Sequence, residues 1–220
     1  MVKTEEEGGA ASAAKERILK AASQLFAERG FDGASVDEIA RRASVNKALI
    51  YYYFESKGDI LDQLIESTLD DVLAQDLPLT GFEFLADRQA AVAFMSKFLD
   101  FLEERQDILR VILMESLKRR PVKDRLFVMV GRLLDKVFAL DTRQYGYSEA
   151  NANRARVMEF FTGLMPLVSY VVYHESWMKS FGIDERGLRE HFIVSFIDSH
   201  FSATERLYKL PTEGGTIDPW

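Results

Sequence analysis

The residues able to do chemistry gather most densely in VNKALIYYYFESK, Val45 to Lys57. Three phenols stand in a row at Tyr51, Tyr52 and Tyr53, between the ammonium groups of Lys47 and Lys57. Phenols and ammoniums are hydrogen-bond donors, able to grip oxygen acceptors such as phosphates. Consecutive helical residues point about 100° apart, so the three rings cannot share one core and at least one faces outward. Elsewhere the chemistry is thin. His174, His191 and His200 fall in no metal-binding spacing such as H-E-x-x-H. No glycine-rich phosphate loop and no G-x-S-x-G occurs. The absence of cysteine excludes disulfides, thiol catalysis and Cys-ligated zinc. Paired carboxylates such as Glu103-Glu104 read as a solvated helix face. Neither an enzyme nor a cofactor nor a metal is expected.

The tyrosines need an element that aims them. The helix period dominates the chain, and no segment alternates with a two-residue period, so the expected fold is all-α. AAKERILKAASQLFAERG places Ile18, Ala22, Leu25 and Phe26 on one face, with Gly30 as a stop. Ser35 and Glu38 fit a capping box that opens a short helix with Ile39 and Ala40 inward. After the turn Ala43-Ser44-Val45, Asn46 is an N-cap for a helix over 47–54, and Ser56 caps a fourth that runs to about Gln75. Helix, turn and helix from Ser35 to Phe54 make a helix-turn-helix, whose second helix enters the DNA major groove. Ile50 and Phe54, four apart, set its inner face. From Ile50, Ala48 lies about 160° away, Tyr52 about 200° and Tyr53 about 60°. Ala48 and Tyr52 are thus centred outward, Leu49 and Tyr51 flank them, and Tyr53 leans inward. The amides at the helix starts Ser35, Asn46 and Ser56 suit phosphate oxygens. A compact three-helix interaction module with exposed tyrosines shows the same periodicity.

RILKAASQLFAERGFDGASVDEIARRASVNKALIYYYFESKGDILDQLI, Arg17 to Ile65, resembles the N-terminal domain of the tetracycline-repressor (TetR) family of bacterial transcription regulators. LFAERGF, ASVDEIA and YYYFESK carry the likeness, and the rest of the chain matches in length and helicity alone. The resemblance implies a homodimer with two reading heads on double-stranded DNA, with Ser35, Asn46, Lys47, Tyr51, Tyr52, Tyr53 and Lys57 near the duplex. Tyr51 and Lys57 would contact phosphate; Lys47, Ala48, Leu49 and Tyr52 would lie nearest the bases. Two positions depart from the family, which commonly has glycine at Ala48 and threonine or serine at Leu49. Apolar side chains there can touch a thymine methyl but cannot hydrogen-bond a base edge.

The chain has 220 residues, 47% of them hydrophobic and 29% charged, enough for one large domain or two small ones. Net charge is −7 with a pI near 5.1, which argues against a general nucleic-acid binder. The charge is uneven: from Ala13 to Gly58 eight basic residues face six acidic ones, a net +2. The expected layout is a disordered arm over 1–12, a DNA-binding domain over 13–58, an acidic helical domain over 59–210 for ligand binding and dimerisation, and an irregular tail over 211–220. Helices are expected over 88–105, 107–119, 122–141, 149–181 and 185–209. The apolar run Leu164–Tyr173 is too short to span a bilayer, and a cytoplasmic protein without membrane contact is expected. Pocket candidates for an unidentified small-molecule effector are Phe94, Phe98, Phe101, Arg110, Met114, Phe127, Phe161, Met165, Tyr170, Tyr173 and His174, with Gly163 and Pro166 kinking the long helix to open space. A stripe of Leu188, Phe192, Ser195, Phe196, Ser199 and Ala203 fits a dimer interface on the last helix; by resemblance, the last two helices form a four-helix interface. The expected function is a ligand-released repressor on a palindromic operator, against an all-α enzyme or a helical adaptor without DNA binding.

Overall fold

A computed structural model describes residues 3–74, 87–118, 127–128, 130–135 and 149–201. All its described elements are helical. The chain divides into two compact units, one from Met1–Ala74 with Arg105–Met129 and one from Gln75–Glu104 with Val130–Trp220.

The first unit holds α1 (Lys3–Gly33), α2 (Val36–Arg42), α3 (Lys47–Tyr53), α4 (Lys57–Ala74) and α6 (Gln106–Ser116). Helix α1 breaks at Gly30, whose φ of 73° is the left-handed conformation glycine tolerates. The residues expected inward are buried: Ile18, Ala22, Leu25 and Phe26 on α1, Ile39 and Ala40 on α2, Ile50 and Phe54 around α3. Helix α4 adds Ile60, Leu61, Leu64 and Ile65 to the same cluster. So do Ile108, Val111 and Ile112 of α6, which pack on α1 and α4 from more than forty residues downstream. Each such aliphatic side chain contributes about 1.5–3 kcal/mol of burial. Arg105 ties the start of α6 to Asp71 of α4 at 2.9 Å.

The second unit contains α5 (Arg88–Glu103), α7 (Glu149–Met158), α8 (Met165–Phe181) and α9 (Glu185–Phe196). Asp87 caps α5, accepting from the amides of Gln89 and Ala90 at 3.0 Å. Residues 130–135 are also helical, and the rest of the helix expected over 122–141 lies outside the described residues, apart from 127–128. The tail over 211–220 lies outside them too. Helices α7 and α8 run through a π-helical segment, Glu159–Leu164, and α9 ends in another, Ile197–Phe201.

The two π segments pack together and enclose a polar cluster. The Thr162 hydroxyl lies 2.8 Å from the Met158 carbonyl and 2.9 Å from His200 Nδ1. His200 Nε2 faces Glu159 at 3.4 Å. A Cβ on Gly163 would stand 2.8 Å from the His200 ring. The expectation that Gly163 opens space for a ligand is therefore corrected: the imidazole of His200 takes that space. The continuous helix is also longer than the apolar run suggested. Asn153–Phe181, 29 residues, is long and apolar enough by length and composition to cross a membrane. Within it Gly163, Leu167, Tyr170 and Val171 are buried in the second unit, and 28% of its apolar stretch is buried.

The His200 ring is wedged between Phe196 and Phe201 and cannot retreat freely. Gly163→Ala should therefore lower stability by about 1–3 kcal/mol, measured by denaturant unfolding. Wild-type stability in that variant would show that the ring yields.

Candidate nucleic-acid interface

The first unit presents its tyrosines through a short, strongly capped frame. Ser35 opens α2 with a reciprocal capping box: its hydroxyl accepts from the Glu38 amide at 3.2 Å, and the Glu38 carboxylate accepts from the Ser35 amide at 3.1 Å. Ser44 then adopts a left-handed φ of 54°, which turns the chain sharply enough for the Val45 amide to reach the Ala40 carbonyl at 3.0 Å. Asn46 caps α3, accepting from the Leu49 amide at 2.7 Å. Ser56 does the same for Asp59 at 3.1 Å.

With Ile50 and Phe54 buried, the rotation of α3 is set. Tyr52 is 78% exposed and Tyr51 53%. Lys47 and Ala48 share the exposed face, and Leu49 is half-buried at its edge. Tyr53 is half-buried against the core, with its ring edge-on to Tyr52 at 5.0 Å. The three tyrosines thus point in three directions, in the order that 100° steps prescribe.

The charged groups depart further from expectation. Lys57 points inward: its ammonium donates to the carbonyls of Phe31 and Ala34 at 2.7 and 2.8 Å and lies 4.5 Å over the Phe31 ring. Two of its three N–H donors are thus spent on the protein, leaving one for a phosphate. Lys47 bonds Asp37 at 2.9 Å, an exposed pair that raises the lysine pKa and that salt screens. At the start of α2 the Glu38 carboxylate accepts from the Ser35 amide, and Arg29 pairs with it. That hydrogen bonding to Ser35, followed by the charge of Arg29, holds the Glu38 pKa below the usual carboxylate range. Arg42 forks onto Glu28 at 2.6 and 2.9 Å, tying α2 to α1. These pairs join residues nine to twenty-six apart in sequence, which no local spacing reveals.

Residues 18–64 match the family described as "Bacterial regulatory proteins, tetR family", a span that coincides with the capped frame and its core. The likeness to the tetR family is carried by these residues of the first unit. Over 146 residues it is 32% identical to the HTH-type transcriptional activator FasR of Mycolicibacterium smegmatis, covering 64% of each chain. Over 94 residues it is 30% identical to the biofilm operon HTH-type negative transcriptional regulator IcaR of Staphylococcus aureus, covering 41% of this chain and 48% of that one. The chain therefore spans less than two thirds of the length of these curated relatives. A solved transcriptional regulator from Aquifex aeolicus VF5 shares the fold with a TM-score of 0.59 at 21% identity, over 83% of this chain and 96% of that one.

The remaining tetR-type expectations fall on both units. Of the pocket candidates, Arg110, Met114 and Phe127 belong to the first unit and the others to the second. In the second, Phe98 stacks between Phe94 and Phe101, each 6.0 Å away. Tyr170 is buried, stacked on His174 and Phe192, and its phenol pKa is pushed up to about 12, first by burial and then by Glu103. Met165 is half-buried. Phe161 and Tyr173 are 64% and 55% exposed. An open groove of about 660 Å³ in this unit is lined by Val92, Ser96, Ile193 and the charged Asp184, Glu185, Arg186, Arg189 and Glu190. On α9, Leu188 and Phe192 are half-buried, Phe196 is buried, and Ser195 and Ser199 are exposed. Ala203 lies outside the described residues. Tyr173, Trp177 and Phe181, four apart on α8, form an exposed aromatic stripe; of the three, only Tyr173 was expected at a site, as a pocket candidate.

Lys57→Met keeps the aliphatic stem and removes the two carbonyl contacts. It should cost about 1.5–3 kcal/mol of stability, while Tyr52→Ala should stay within about 0.5 kcal/mol. Denaturant unfolding of the two variants side by side checks the difference.

Proposed function

We propose that this protein is a DNA-binding transcriptional regulator that reads a palindromic operator as a homodimer and is released by a small molecule. The observation that carries this reading is the orientation of Tyr52. It stands 78% exposed on the face of α3 opposite the buried Ile50, beside Ala48. A large aromatic held outward on a capped second helix touches the head only through the edge of Tyr53, and the major groove accommodates it. Ala48 and Leu49 favour a thymine methyl at the bases they meet. Tyr51 and the remaining donor of Lys57 face phosphate. In the second unit, the stripe Tyr173, Trp177 and Phe181 on α8, together with the small Ser195 and Ser199 on α9, supports packing against a second copy. The acidic charge favours a neutral or cationic effector over an anionic one. Repression is the preferred direction, since a dimer with heads wrongly spaced by ligand loses its operator.

Selection from random DNA duplexes tests this directly. The expected product is a palindrome with half-sites 34–36 Å apart or a multiple of that, about one helical turn. Affinity should fall steeply with salt. Tyr52→Ala should weaken binding to the selected duplex about tenfold or more. Recovery of no common sequence, or full affinity in Tyr52→Ala, would count against the reading and leave a helical adaptor in its place.

A further inference from the structure

Between the break at Gly30 and the cap at Ser35, α1 hands over to the reading head through Phe31–Ala34. Two lysines from distant parts of the chain grip this joint. Lys57, at the start of α4, takes the carbonyls of Phe31 and Ala34. Lys118, two residues beyond α6, reaches the carboxylate of Asp32 at 3.3 Å. The same Lys118 ammonium bonds Glu115, which is 1% exposed on α6.

Glu115 stands on the inner side of α6 with Ile108, Val111 and Ile112, where packing alone favours an aliphatic residue. Its Oε2 is buried and has no hydrogen-bond partner. A buried carboxylate is costly unless something compensates it. Here the compensation is a single bond to Lys118, and that bond is the main cause of the raised lysine pKa. The arrangement is poor packing but a good anchor. A lysine just past a helix end otherwise moves through many rotamers; bonded to a buried carboxylate, it is held beside Asp32. The joint it holds needs such an anchor, because the left-handed Gly30 interrupts the helical stiffness of α1.

We propose that Lys118 is a positioning residue for DNA binding: anchored by Glu115, it latches the joint through Asp32 and sets how α2 and α3 are presented. Helix α6 thereby acts on the head directly, alongside α4 and its Lys57. This inference rests on the DNA-binding reading.

The test uses the full chain and the duplex recovered by selection, at a temperature where circular dichroism shows each variant folded. Lys118→Met and Asp32→Asn should each weaken binding by about three- to tenfold. The double variant should be no weaker than the weaker single one, since both break the same latch. Lys118→Arg should restore affinity. The slope of log affinity against log salt should stay at the wild-type value, whereas a lysine that neutralised a phosphate would lower it by about one. Wild-type affinity in both singles, multiplying effects in the double, or a slope reduced by one would each overturn the latch. If no duplex is selected, the DNA-binding reading fails separately, and amide hydrogen exchange decides the latch without DNA. Faster exchange at Ser35–Glu38 in Lys118→Met, reversed in Lys118→Arg, supports it; unchanged exchange overturns it.

Discussion

The head depends on the burial of Ile50 and Phe54 against α1. These two side chains, 1% and 2% exposed, meet the cluster containing Leu25 and Phe26 and leave α3 one rotational setting. A seven-residue helix has little stability of its own. It is held by this contact and by caps at Asn46 and Phe54. Everything outward follows from that setting: Tyr52 and Ala48 opposite, Tyr51 to one side, Tyr53 folded back. The left-handed Ser44 serves the same constraint, since a more gradual turn would move Val45 away from Ala40 and swing α3 off the core.

Charge plays a different part from the one that counting residues suggests. The head carries a net +2, but Arg29, Arg42 and Lys47 are paired with Glu38, Glu28 and Asp37. Lys57 is turned onto backbone carbonyls. These cations fasten helices to one another before they meet any duplex. Exposed pairs are salt-sensitive and readily exchange partners, so Lys47 can release Asp37 for a phosphate at little cost. Lys57 cannot be freed so easily, because the carbonyls it leaves are partly buried.

Periodicity made the fold legible where contacts are local or where one helix face is apolar. Ile18, Leu25, Phe26, Ile39, Ile50 and Phe54 were all readable as inward, and the caps at Ser35, Asn46 and Ser56 were readable from residue type and spacing. Three kinds of feature were not readable. Ion pairs between distant residues, such as Arg42–Glu28, leave no periodic trace. The π segments leave none either, because Gly163 and Pro166 mark only that the helix is perturbed and not which side chain exploits it. The aromatic stripe of α8 was not legible beyond Tyr173, since hydrophobicity alone does not say whether an aromatic side chain faces its own chain or outward. Within the site, the outward tyrosines follow from geometry, whereas the inward turn of Lys57 required the fold.

These facts bear on how the head can discriminate between sequences. The exposed face of α3 offers phenols, a methyl and a leucine side chain beside the paired Lys47. Nonspecific attraction to phosphate is therefore modest, and an acidic remainder of the chain reduces it further. On the proposed DNA-binding reading, binding relies on several weak contacts made together, each requiring α3 to sit at the right depth and angle in the groove. Positional error costs more in such a head than in a strongly basic one, where charge tolerates misalignment. The dense pairing around Phe31–Ala34 and across α1 and α2 answers that demand: cations used to fix geometry contribute more here than the same cations turned toward solvent.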